Sequence, residues 1–87
     1  MYYWQLFLIQ YYMNLNEVKL NTECMVKSVL INDYKTKIRL MELGLISGQK
    51  ITVKHKSMLK NTLLIAFNNA CFTIKNNLAG SVEVEYV

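Results

Sequence analysis

The 87-residue chain has no proline, only three glycines, two cysteines and a single histidine. Each scarcity excludes something. Without proline there is no polyproline or Pro-rich linker segment. No proline and few glycines are also low for a chain made mostly of loops. Two cysteines, Cys24 and Cys71, form no disulfide framework and show no CxxC spacing. With His55 as the only histidine, a four-ligand zinc site would have to recruit carboxylates. The cysteines therefore read as reduced, small hydrophobic residues of a cytosolic protein. A long apolar run is missing too. Residues 1–13, "MYYWQLFLIQYYM", are uncharged, yet shorter than the roughly 20 residues a membrane-spanning helix needs. They lack the basic start and the small-residue cleavage site of a secretory signal.

What is present is a domain. The apolar fraction is 53%, enough for a globular core, and the length fits one small domain. A core this thin makes each buried side chain matter. The net charge of +4 suits an acidic partner, a phospholipid surface or nucleic acid, and equally a solvated surface with slightly more lysine than glutamate. Residues 1–13 stand apart as an apolar extension holding four of the six tyrosines and the only tryptophan. Two readings remain open. The first twelve residues come from an upstream start codon, or they patch this domain or a second copy of it and drive self-association.

From residue 14 the pattern is compact. Asn16 is a candidate cap for one helical turn, and Asn21-Thr22 reads as a turn. "CMVKSVLI", residues 24–31, reads as a strand. Val26 and Val29 are three apart, so a bulge is needed to bring both inward. In "NDYKTKIRLMELG" the apolar spacing predicts a short helix over about 35–43, with Asn32 or Asp33 as cap. "KITVKHK" alternates, with Ile51, Val53 and His55 on one face and Lys50, Thr52, Lys54 and Lys56 on the other. "TLLIAF" places Leu63, Ile65 and Phe67 together. Asn68-Asn69 fits a hairpin turn, because Asn tolerates positive φ. "CFTIK" returns with Phe72 and Ile74 inward, leaving Cys71 on the accessible face. "NNLAG" reads as a turn or 3₁₀ segment. "SVEVEYV" closes with Val82, Val84 and Tyr86 inward and Glu83 and Glu85 outward. About five short strands with one or two short helices make a mainly β small barrel over residues 14–87.

Two of the three glycines, Gly44 and Gly48, lie four residues apart in "RLMELGLISGQKITV". If the helix ends at Leu43, Gly44 falls where a left-handed residue closes a Schellman end. Leu40 and Leu45 are then its apolar clamp. Gly48 makes a second turn before the next strand. A phosphate loop needs its glycines before a helix, and here they follow one.

This stretch resembles the signature of the FeoA family: Arg39, Leu40, Met41, Glu42, Leu43, Gly44, Leu45, then Ser47-Gly48 where the family usually has Pro-Gly. The likeness extends from about Leu15 to Val87. Asn21-Thr22 stands in place of another Pro-Gly. Leu59 is what remains of a Pro-Leu-Gly-Asp-Pro loop, the rest being Met58, Lys60, Asn61 and Thr62. The resemblance implies an SH3-like barrel and a non-enzymatic accessory protein of bacterial ferrous iron uptake. It implies cytoplasmic action on the membrane transporter FeoB, at the inner face of the membrane when bound. It assigns Arg39, Leu40, Leu43, Gly44, Leu45 and Gly48 a structural role.

No catalytic, cofactor or metal constellation is expected. Partner contact is expected at Leu59 and Lys60 in the degenerate loop, with Lys54 and Lys56 of the neighbouring basic face. Two rival functions remain. One is a nucleic-acid-binding small barrel, which needs exposed aromatics among its basic residues. The other is an unattached regulatory domain resembling the C-terminal SH3-like domain of metal-dependent repressors.

Overall fold

The computed structural model describes residues 13–87. Of the apolar extension only Met13 is among them, so the expectation of self-association through that segment lies outside the described residues. Six strands run antiparallel in one sheet: β1 (Met13–Asn14), β2 (Glu23–Val29), β3 (Lys50–Ser57), β4 (Thr62–Phe67), β5 (Ala70–Lys75) and β6 (Val82–Tyr86). Their spatial order is β1-β6-β2-β3-β4-β5. Helix α1 (Tyr34–Glu42) joins β2 to β3, and the one-turn α2 (Asn76–Ala79) joins β5 to β6. The mainly β expectation holds, with the two-residue β1 added to the five expected strands.

Alternation decides what enters the core. Val26, Ile51, Val53, Leu63, Ile65, Val82 and Val84 project inward and are buried, together with Leu15, Val18, Leu40, Leu45 and Ala79 from the connecting segments. Full burial of each of the larger side chains contributes roughly 1.5–3 kcal/mol. The register of β2 against β6 shifts between Val26 and Ser28. That bulge makes Lys27 the extra residue and lets both Val26, opposite Val84, and Val29, opposite Val82, face inward.

The first helical turn differs from its expected form. Leu15–Glu17 is a 3₁₀ turn capped by Asn14, not Asn16. The Asn14 side chain accepts from Asn16 N, and Glu17 Oε1 accepts from Asn14 N at 2.9 Å. Asn-x-x-Glu is the capping-box spacing, and it was present in the sequence. Asn16 is left to donate from Nδ2 to Asn76 O at 2.9 Å, tying this turn to α2.

Helix α1 starts at Asp33, whose carboxylate accepts from the Thr36 hydroxyl. It ends on the Schellman geometry. Gly44 has φ +109, Leu45 N donates to Leu40 O at 2.9 Å, and Gly44 N donates to Met41 O at 3.0 Å. Leu40 and Leu45 are both buried, as a clamp requires. Gly48 has φ +92 and turns the chain into β3 while its N–H donates to Val26 O at 2.7 Å. The β4–β5 hairpin turns through Asn68 (φ 48) and Asn69 (φ 64), a type I′ pair. Tyr86 departs from the inward reading. It is 42% exposed, and its hydroxyl accepts from Lys19 N at 2.9 Å.

Candidate interaction surface

The β3–β4 hairpin carries the expected partner residues and separates them. Ser57 pairs with Thr62, and the four residues between them form the tip. Lys60 N donates to Ser57 Oγ at 3.2 Å, and Asn61 takes φ 54 to bring the chain into β4. Met58 is 90% exposed and Leu59 98%, the two most exposed large apolar side chains among the described residues. Lys60 is exposed beside them, and Lys54 and His55 are exposed on the strand leading in.

Lys56 is elsewhere. The β3–β4 register shifts between Val53 and His55, so Val53 opposes Ile65 while Lys56 opposes the buried Leu63. This second bulge reverses the expected alternation. His55, expected on the apolar face, is exposed, and Lys56, expected on the basic face, turns in. The Lys56 ammonium donates to Asn16 O, within the 3₁₀ turn, at 3.0 Å and to Val18 O, just after it, at 2.8 Å. Charge-assisted bonds of this kind contribute about 1.5–3 kcal/mol each, less where water reaches them. Lys56→Met keeps the stem and removes the ammonium. We expect it to lower stability by about 1–3 kcal/mol in chemical denaturation. A change within about 0.5 kcal/mol, the usual range of an uninvolved surface site, would show that the strap contributes nothing.

Four of the six signature residues, Leu40, Gly44, Leu45 and Gly48, hold this frame. Leu40 and Leu45 are core. Gly44 approaches the Phe67 ring so closely that an added Cβ would overlap its Cζ and Cε2. Arg39 is exposed on α1 and Leu43 is 41% exposed. One ion pair occurs among the described residues, Lys27 to Glu85 at 3.3 Å.

No three His, Cys, Asp or Glu side chains come together among the described residues. Cys24 is buried, and burial first, then the neighbouring Glu23 carboxylate, pushes its thiol up to about 11. Cys24 is thus a protonated thiol at neutral pH and a poor nucleophile. Cys71 is exposed. With excess iodoacetamide near pH 8 we expect Cys71 to react and Cys24 to react only after unfolding. Equal modification of both thiols in the folded protein, read by peptide mass mapping, would contradict the burial of Cys24. Among the described residues no helix is long and apolar enough to cross a membrane.

A small antiparallel sheet with two short helices defines a mainly β domain of the SH3-like kind. The family model for the FeoA domain matches residues 13–86, and the chain belongs to the FeoA family. No curated protein matches it. Among solved structures it is similar to the FeoA protein of Chlorobium tepidum, with 29% identity and a TM-score of 0.78, covering 86% of this chain and 70% of that one. It is also similar to Stenotrophomonas maltophilia FeoA complexed with zinc, a prokaryotic SH3 domain protein suggested to act as an activating factor in bacterial ferrous iron transport. There the identity is 28% and the TM-score 0.70, with 84% of this chain and 89% of that one covered. The manganese-activated repressor ScaR shares the fold alone, at 16% identity and a TM-score of 0.74, over 86% of this chain and 35% of that one. The chain thus carries a fold used both by free-standing FeoA proteins and by part of a repressor, and its family places it with accessory proteins of ferrous iron transport.

Proposed function

We propose that this protein is a non-enzymatic accessory factor of ferrous iron uptake that binds the cytosolic side of the membrane transporter FeoB and modulates it. The observation that carries the reading, beyond family membership, is the β3–β4 tip. Met58 and Leu59 stand almost wholly in water at the hairpin tip, with Lys60 next to them and Lys54 four residues before Met58 on β3. An exposed apolar pair costs solubility and is explained by a partner that covers it. The two cations suit a partner whose rim carries carboxylates, speeding encounter and fixing orientation. On this reading the protein works in the cytoplasm, at the inner face of the membrane when bound.

The aromatic residues among those described do not favour nucleic acid. Phe67 and Phe72 are half-buried and pack edge to face on each other, with centroids 5.9 Å apart. The exposed Tyr34 and Tyr86 lie on different elements, and Tyr86 is engaged with Lys19. Among the described residues no row of rings is available on which successive bases could stack.

The test is capture of the detergent-solubilised transporter by the purified protein. Leu59→Asp with Lys60→Glu is expected to leave the thermal melt unchanged, since neither side chain is packed, and to weaken capture by about tenfold or more. Wild-type capture by that variant would remove the hairpin from the interface. Absence of capture by the wild-type protein, with uptake of ferrous iron unaffected by deletion of its gene, would remove the transporter as partner.

A further inference from the structure

The two ends of the sheet are unlike. At one end, β1 has two described residues, Met13 and Asn14. At the other, β5 has six and, among the described residues, pairs only with β4. Long free edges recruit other strands, and proteins blunt them with charges, bulges, proline or a covering element. Ala70–Ile74 carries no charge, bulge or proline: the register against β4 is unbroken, and the one charge, Lys75, is the last residue. The hairpin geometry says which groups are free. A type I′ turn at Asn68-Asn69 makes Phe67 and Ala70 a hydrogen-bonded pair. Bonded pairs alternate along the ladder, so Cys71, Thr73 and Lys75 direct their backbone N–H and C=O to the open edge.

Beside that edge runs a groove between α1 and β5. Its walls carry Lys35, Arg39 and Lys75, and no carboxylate lines it. None of the three cations makes an ion pair among the described residues. Its floor is apolar, with Leu40 and Ile74 buried and Leu43 and Leu78 partly open. An occupant must therefore offer backbone hydrogen bonds, carboxylates and a few apolar side chains at once. Strand addition supplies all three, with main-chain bonds giving affinity and alternate side chains giving selectivity.

We propose that the free edge of β5 and the adjoining groove bind an extended acidic segment of a partner protein, which adds to the sheet as a further strand. The three cations select acidic over basic segments, and Leu43 and Leu78 receive the apolar side chains between the carboxylates. This surface is distinct from the Met58–Leu59 hairpin tip and does not depend on the identity of the transporter.

The experiment is an amide-resolved NMR titration of the labelled protein with a synthetic peptide of about eight residues alternating Glu and Val, a length that spans one ordinary strand. Expected are shifts at the amides of Cys71, Thr73 and Lys75, and binding that weakens about tenfold between roughly 0.05 and 0.5 M salt. A Lys-Val peptide and a Glu-Val peptide with a central proline are both expected to fail, the first on charge and the second on the lost N–H. Arg39→Glu with Lys75→Glu should weaken the Glu-Val peptide by about tenfold or more, with the dispersed spectrum reporting that the variant is folded. Both control peptides keep the test independent of that variant's folding. Unmoved β5 amides at about 1 mM peptide, a weak interaction by any standard, would overturn the proposal. So would equal binding of the Lys-Val peptide, or shifts confined to Met58–Lys60. Concentration-dependent β5 shifts in the protein alone would also overturn it, by giving the edge to a second copy.

Discussion

Replacing Gly44 by alanine should destabilise the protein by about 2–4 kcal/mol, well beyond the effect of a left-handed residue alone. The conformational part is about 1 kcal/mol, from a Cβ at φ +109. The larger part comes from the ring of Phe67, which occupies the volume the new methyl needs. Moving that ring costs typically 1–3 kcal/mol as overpacking and disturbs its edge-to-face contact with Phe72. Gly48→Ala supplies the contrast. Its φ is +92, but no atom lies within 4 Å of the position its Cβ would take, so about 1 kcal/mol is expected. The cycle Gly44→Ala with Phe67→Ala separates the parts: once the ring is gone, alanine at 44 should cost about 1 kcal/mol. Additive effects in urea denaturation would show that the ring and the glycine are not in contact.

Leu40→Ala should be as damaging, at about 2–5 kcal/mol. Leu40 is 5% exposed, and its carbonyl receives the Leu45 N–H that closes the helix. The substitution leaves that backbone bond and empties the apolar half of the clamp, so the last turn of α1 loses its seat on the sheet. For a domain of this size such a loss lowers the melting temperature by about 10 °C or more. A melt within about 2 °C of wild type, less than 1 kcal/mol, would place Leu40 at the surface instead.

Much of the frame could be read directly from the residues, because its signals are local and chemical. Gly44 marks a helix end, Asn68-Asn69 a tight hairpin, and Val82, Val84 with Glu83 and Glu85 a half-buried strand. The helix expected at 35–43 lies at Tyr34–Glu42. The two bulges show where such reading stops. The one in β2 was legible because apolar residues on both sides, Val26 and Val29, were out of phase. The one in β3 was not, because nothing apolar follows Val53 in the strand to mark the phase. His55 and Lys56 are both polar, and pairing with β4, not local pattern, decides which of them turns inward. The same gap hid part of the candidate surface. Leu59 and Lys60 were found where the family likeness fades, whereas the strap formed by Lys56 depends on carbonyls some forty residues earlier, at Asn16 and Val18. The edge of β5 left no mark in the sequence, since being last in a sheet is a property of topology.

The anchoring of the first 3₁₀ turn has a mechanical side. Asn16 and Val18 are held by the Lys56 ammonium at the root of the exposed hairpin, and Asn16 also by the carbonyl of Asn76. Asn76 in turn donates its N–H to Asn61 O, at the exit of the same hairpin tip. A load applied ahead of Met13 meets first the pairing of β1 with β6, and behind it these bonds, which lead to the segment that presents Met58 and Leu59. A load applied after Val87 meets first the bond from its N–H to Glu23 O, on β2. Once the β1 pairing yields, a tether fused to the front of the chain pulls on the root of the proposed contact surface, whereas one fused to the back pulls on β6 and β2.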